Sequence, residues 1–108
     1  MRLYLALKKK WYRFTEYGYK LEEYRDINEY WVKRLTCEKH FESVEQLLSK
    51  PVKFKEFSSV VLTLGYPEKD DASRHLEKQI DRITIGEGRF EWGAIPGKKY
   101  FVIKYKKA

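Results

Sequence analysis

The chain has 108 residues, enough for one hydrophobic core and too few for two sizeable ones, so residues 1–108 read as a single domain. Hydrophobic residues make up 43% and charged residues 36%, which excludes a disordered chain and fits a globular protein with a heavily charged surface. The formal net charge is +7, spread as +4 over residues 1–39, −1 over 40–75 and +4 over 76–108.

Two basic ends around a neutral middle predict a basic surface, the usual footprint for contact with nucleic acid or nucleotides. The competing reading is charge used only for solubility. No apolar run approaches the length of a membrane-spanning helix, and the apolar start at Met1-Arg2-Leu3-Tyr4 is too short for a secretory signal, so no membrane contact is expected. The lone Cys37 cannot form an internal disulfide, which points to a reducing, cytoplasmic setting.

Leu3, Leu5 and Leu7 alternate with Tyr4 and Ala6, predicting a first strand with one face in the core. Lys8-Lys9-Lys10-Trp11-Tyr12-Arg13-Phe14 switches to helical spacing, with Trp11 and Phe14 three apart and Gly18 as the stop. A short strand follows with Lys20 at its start, and the period of two puts Glu23 and Arg25 on one side. Asp26 is then placed to cap a helix, with Glu29 reaching back and Ile27, Trp31 and Leu35 forming its apolar stripe. Lys33 and Arg34 fall off that stripe, toward solvent or a cleft.

Phe41, Val44, Leu47 and Leu48 predict another short helix, stopped by Pro51. Residues 59–64 are β-branched and apolar on both faces, a buried strand. Gly65-Tyr66-Pro67 turns the chain into an exposed loop over residues 68–73. Residues 74–85 form a long strand whose rhythm slips: Leu76 and Ile80 are even, Ile83 and Ile85 odd. A β-bulge near Asp81 and Arg82 would account for that change of face. A last strand spans residues 99–106. The pattern indicates an α+β domain with a small curled sheet or barrel and short helices around it.

Gly18-x-Lys20-x-x-Glu23-x-Arg25 resembles the signature of the ASCH domain, a family of PUA-like small β-barrels. Tyr30-Trp31-x-Lys33-Arg34, the Gly65-Tyr66 and Gly86-x-Gly88 turns and Glu91-Trp92-Gly93-Ala94-x-Pro96-Gly97 are similar to a short phage and bacterial subgroup of it. The resemblance implies a barrel whose cleft is lined by the signature lysine and arginine and binds RNA or a nucleoside-like ligand. One branch of the family hydrolyses the acetyl group of N4-acetylcytidine with a lysine, a threonine and a glutamate. Lys20 falls on the lysine, Glu23 stands where the threonine would be, and Glu91 is the candidate glutamate. Other branches are nucleases or plain nucleic-acid binders.

Lys20, Glu23 and Glu91 are therefore the candidate catalytic groups. Lys20, Glu23, Arg25, Tyr30, Lys33, Arg34 and Trp92 are the candidates for ligand binding. Burial and the nearby Arg25 would disfavour an ammonium at Lys20, while Glu23 favours it. A plain ion network at the barrel mouth is the structural alternative. Tyr30 and Tyr24 are placed to stack a base, whereas Trp31 sits on a core stripe. His40, His75 and Cys37 lack metal-ligand spacing, and the Asp70-Asp71 pair reads as a solvated acidic loop, so neither metal nor cofactor is expected. The leading expectation is an RNA- or nucleoside-binding module. The alternatives are an amidohydrolase of N4-acetylcytidine-like nucleosides and a ribonuclease.

Overall fold

The computed structural model describes residues 1–65 and 74–107. The expected turn at Tyr66-Pro67, the loop after it and the Asp70-Asp71 pair lie outside the described residues. The strands are β1 (Arg2–Leu7), β2 (Glu22–Asp26), β3 (Ser59–Leu64), β4 (His75–Glu87) and β5 (Lys99–Tyr105). The helices are α1 (Lys9–Glu16), α2 (Glu29–Leu35) and α3 (Val44–Leu47), with a 3-10 turn at Phe90–Trp92. The fold is α+β, with one mixed sheet in the order β1-β3-β4-β5-β2. The chain divides into two units: Met1–Glu23, Phe57–Arg82 and Ile103–Ala108 in the first, Tyr24–Glu56 and Ile83–Val102 in the second.

In the first unit β1 lies parallel to β3, with Leu3 opposite Val60 and Leu5 opposite Leu62. A parallel pair needs a crossover connection, and the long chain between β1 and β3 supplies it. β4 then returns antiparallel to β3. Leu3, Leu5 and Leu7 are buried as expected, and so is β3 from Ser59 to Leu62 on both faces. α1 packs against β3. Its buried residues are Tyr12 and Thr15 rather than Trp11 and Phe14, which are half-buried.

α1 ends in a Schellman motif. Gly18 has φ +80°, its N–H donates to the Thr15 carbonyl (3.1 Å), and the Tyr19 N–H donates to the Phe14 carbonyl (2.8 Å). Glycine is needed there because a side chain at that φ is strained.

In the second unit the cap of α2 is Asn28, whose Oδ1 accepts from the Trp31 N–H at 3.0 Å. Asp26 does not cap: it ends β2, and its carboxylate accepts from Lys98 Nζ at 2.9 Å. The start of the helix therefore moves by two residues, and its buried pair becomes Val32 and Leu35, with Trp31 only half-buried. α3 is a single turn capped by Ser43, so Phe41 and Leu48 lie outside it. Tyr24, Ala94, Tyr100 and Val102 form a buried cluster on which Trp92 packs.

β4 carries the expected slip. Ile80 is buried, Asp81 and Arg82 are both exposed, and Ile83 and Ile85 turn inward again on the other parity. Gly88, just past β4, is enforced by packing, since a Cβ there would stand 2.7 Å from the Tyr24 ring and 2.7 Å from Ala94 Cβ. Around Gly86 nothing lies within 4 Å of such a Cβ. Gly88→Ala should therefore lose about 1–3 kcal/mol in urea unfolding through overpacking, while Gly86→Ala stays within about 0.5 kcal/mol of the parent. Equal losses at the two glycines would contradict this packing.

Candidate functional site

The Schellman turn leads straight to Lys20, whose own N–H also donates to the Phe14 carbonyl (3.1 Å). The chain is thereby folded back so that the Lys20 side chain runs inward. Its Nζ meets Glu23 Oε2 at 2.5 Å, with the side chains 0% and 6% exposed. The indole of Trp11 on α1 lies 5.2 Å from the ammonium, ring centroid to nitrogen. Withdrawing two charges from water costs several kcal/mol per ion, so each partner is held where it is by the other. Lys20 is among the largest fully buried side chains of the chain. An amine so enclosed cannot touch a substrate unless its cover moves.

A second group of predicted residues gathers on α2. The Arg25 guanidinium lies 5.3 Å from the Trp31 ring and donates through Nη1 to the Tyr24 carbonyl at 2.7 Å. Arg34 lies 5.6 Å from the Tyr30 ring and 5.7 Å from Trp31. The two rings meet edge to face at 4.9 Å. Tyr30 is 59% exposed. Lys33 is exposed and pairs with Glu29 one turn earlier (3.1 Å). Spacings of three and four residues bring these side chains together on a helix.

The third group is the turn after β4. The Arg89 N–H donates to the Tyr24 hydroxyl (2.9 Å) and the Ile95 N–H to the Tyr100 hydroxyl (2.9 Å), so two buried phenols pin the loop. Glu91 is exposed and accepts from Arg89 Nε at 2.5 Å. The Arg89 guanidinium also sits 4.9 Å from the Trp92 ring, which is half-buried. A hydrogen bond from its own backbone N–H, then the Arg89 side chain, holds the Glu91 carboxyl below the usual glutamate range. That direction is the reverse of what a general base working near neutrality requires.

Lys20 and Glu23 thus belong to the first unit, and Arg25, Tyr30, Lys33, Arg34, Glu91 and Trp92 to the second. Trp11 and Arg89 were not singled out by sequence reasoning. Arg89 was detectable in the run Arg89-x-Glu91-Trp92, whereas the position of Trp11 over Lys20 depends on the return of the chain at Gly18. Among the described residues no three His, Cys, Asp or Glu side chains are grouped to hold a metal, and His40 pairs with Glu42 (3.1 Å). No described helix is long and apolar enough to cross a membrane.

Compared with family models, curated proteins and solved structures, the chain matches none.

Because its folded-state titration is shifted downward, Glu91 contributes stability fully above the ordinary glutamate range and loses it as pH falls through the lowered value. Carbon-detected NMR titration should place the Glu91 midpoint below that of ordinary glutamates, and Arg89→Ala should raise it. A midpoint that does not move in the variant would show that Arg89 is not a cause.

Proposed function

We propose that this protein is an RNA- or nucleoside-binding module of the ASCH type, with a PUA-like barrel as its finer architecture. The observation that carries the reading is the α2 surface, where the exposed ring of Tyr30 stands beside the Arg34 guanidinium, with Arg25 and Trp31 behind them and Lys33 exposed. Single strands bind where an aromatic face takes a base and neighbouring cations take the phosphates. Tyr30, 59% exposed, offers such a face. Arg34 and Lys33 supply charge on the same helix, and the net charge of +7 favours encounter with a polyanion. Trp92 with Arg89 repeats the combination of ring and guanidinium in the same unit.

Nothing comparable favours the hydrolase or nuclease alternatives. Amide hydrolysis needs a general base and a donor for the developing oxyanion, both within reach of the substrate. The Lys20 side chain is closed from solvent and held by Glu23, and Glu91 is a weakened base paired with Arg89.

The reading predicts a steep fall in affinity for single-stranded RNA as salt rises, through release of condensed counterions. Neutralising both cations with Lys33→Ala and Arg34→Ala should flatten the log–log slope by roughly 1.4, about 0.7 for each lost phosphate contact. Tyr30→Ala should cost about 1–3 kcal/mol of binding with the slope unchanged. An unaltered slope in the double variant would remove the α2 surface from consideration.

A further inference from the structure

We propose that the lysine-rimmed hollow at the end of β5, in the first unit, is a binding site for phosphate groups, those of a free nucleotide or of a single nucleic-acid strand. Two hollows of about 460 and 400 Å³ share Leu21, Tyr105, Lys106 and Lys107 in their walls. Lys78 adds to the first and Lys104 to the second. Each volume falls within the range that accommodates small ligands. None of the residues of the α2 surface takes part.

The strand end that carries these lysines is held on both sides. The Tyr105 N–H donates to the Leu21 carbonyl (3.1 Å) and the next amide, Lys106 N–H, donates to the Gln79 carbonyl (2.9 Å). The ammonium groups are thus mounted on fixed backbone. The two carboxylates in the walls are already engaged. Glu77 accepts from the Ser59 hydroxyl at 2.7 Å and pairs with Arg2 at 3.3 Å, while Asp81 stands 3.7 Å from Arg82. Among the described residues no carboxylate pairs with Lys78, Lys104, Lys106 or Lys107. Lys20, also in the wall, has its ammonium committed to Glu23.

Each hollow is thus lined by three lysines with no carboxylate partner among the described residues, which calls for a compact ligand with several negative charges. A single carboxylate would neutralise one of them, whereas a phosphate chain meets several. Lysine acts as a compact point charge with freely rotating donors, suited to phosphate oxygens that present no fixed fork. Leu21, an exposed apolar residue, gives the same hollow an apolar wall for a sugar or base.

Titration calorimetry of the full chain at low salt with inorganic triphosphate tests the assignment, since that probe has no base and so does not depend on the α2 reading. Binding is expected, and Lys106→Glu with Lys107→Glu should weaken it by more than about tenfold. Lys39→Glu with Lys53→Glu, matched in charge and located in the second unit, should leave affinity within about twofold. Circular dichroism verifies that both variants fold. A nucleoside triphosphate that outcompetes a 5′-hydroxyl oligonucleotide identifies the free nucleotide as the source; the opposite order identifies the strand, and both uphold the site. Absence of triphosphate binding, equal weakening by the two double variants, or a short polyglutamate bound as tightly as triphosphate would overturn it.

Discussion

The buried ion pair between Lys20 and Glu23 is the constraint around which the first unit is built. A lysine with no exposed side-chain surface is tolerated only where a carboxylate meets it, and here the two lie 2.5 Å apart. The pair requires α1 to end where it does, because Gly18 turns the chain and the Phe14 carbonyl accepts from both Tyr19 and Lys20. It also requires Trp11 to face the same point, since the indole lies against the ammonium. The start of β2 is bound in with them, because Glu23 is its second residue and is buried. A charge that would be costly alone thereby fixes the join between a helix and a strand.

A second regularity concerns the tryptophans. Each of the three has a cation on its ring: Lys10 and Lys20 at Trp11, Arg25 and Arg34 at Trp31, Arg89 at Trp92. Such contacts are worth about 0.5–2 kcal/mol, more where water is excluded. They also explain why none of the three indoles is fully buried, since one face is kept for a charged group. At Trp11 the arrangement is internal and closes over Lys20. At Trp31 it stands beside the exposed Tyr30, where the same chemistry can serve a ligand.

Much of the fold was legible because periodicity and punctuation agree. Leu3, Leu5 and Leu7 alternate, Val60, Val61 and Leu62 are apolar on both faces, and Gly18 marks the end of α1; all three readings hold. The change of parity around Asp81 and Arg82 is likewise visible as two successive exposed residues. The errors came where local signals compete. Asp26 and Asn28 are both good caps, two residues apart, and the choice falls to Asn28 because Asp26 stays in β2 and meets Lys98, 72 positions away. The stripe of α2 differs because Trp31 reads as core, while the cations on its ring hold it at the boundary and Val32 goes inside instead. At the candidate site the pairing of Lys20 with Glu23 was readable from spacing, but its closure by Trp11 was not. Lys104, Lys106 and Lys107 are a local basic run at the end of β5, but that Lys78 of β4 lines one hollow with Lys106 and Lys107 leaves no local signature.

The central claim is that Lys20 and Glu23 form a closed structural pair. A double-mutant cycle in urea unfolding, with Lys20→Met, Glu23→Leu and the double replacement Lys20→Met/Glu23→Leu, measures it directly. Each single change removes one partner from a buried charge and should lose about 3–5 kcal/mol, while the double replacement recovers most of that loss. Two small and additive losses, each below about 1 kcal/mol as for a solvent-exposed ion pair, would contradict the account.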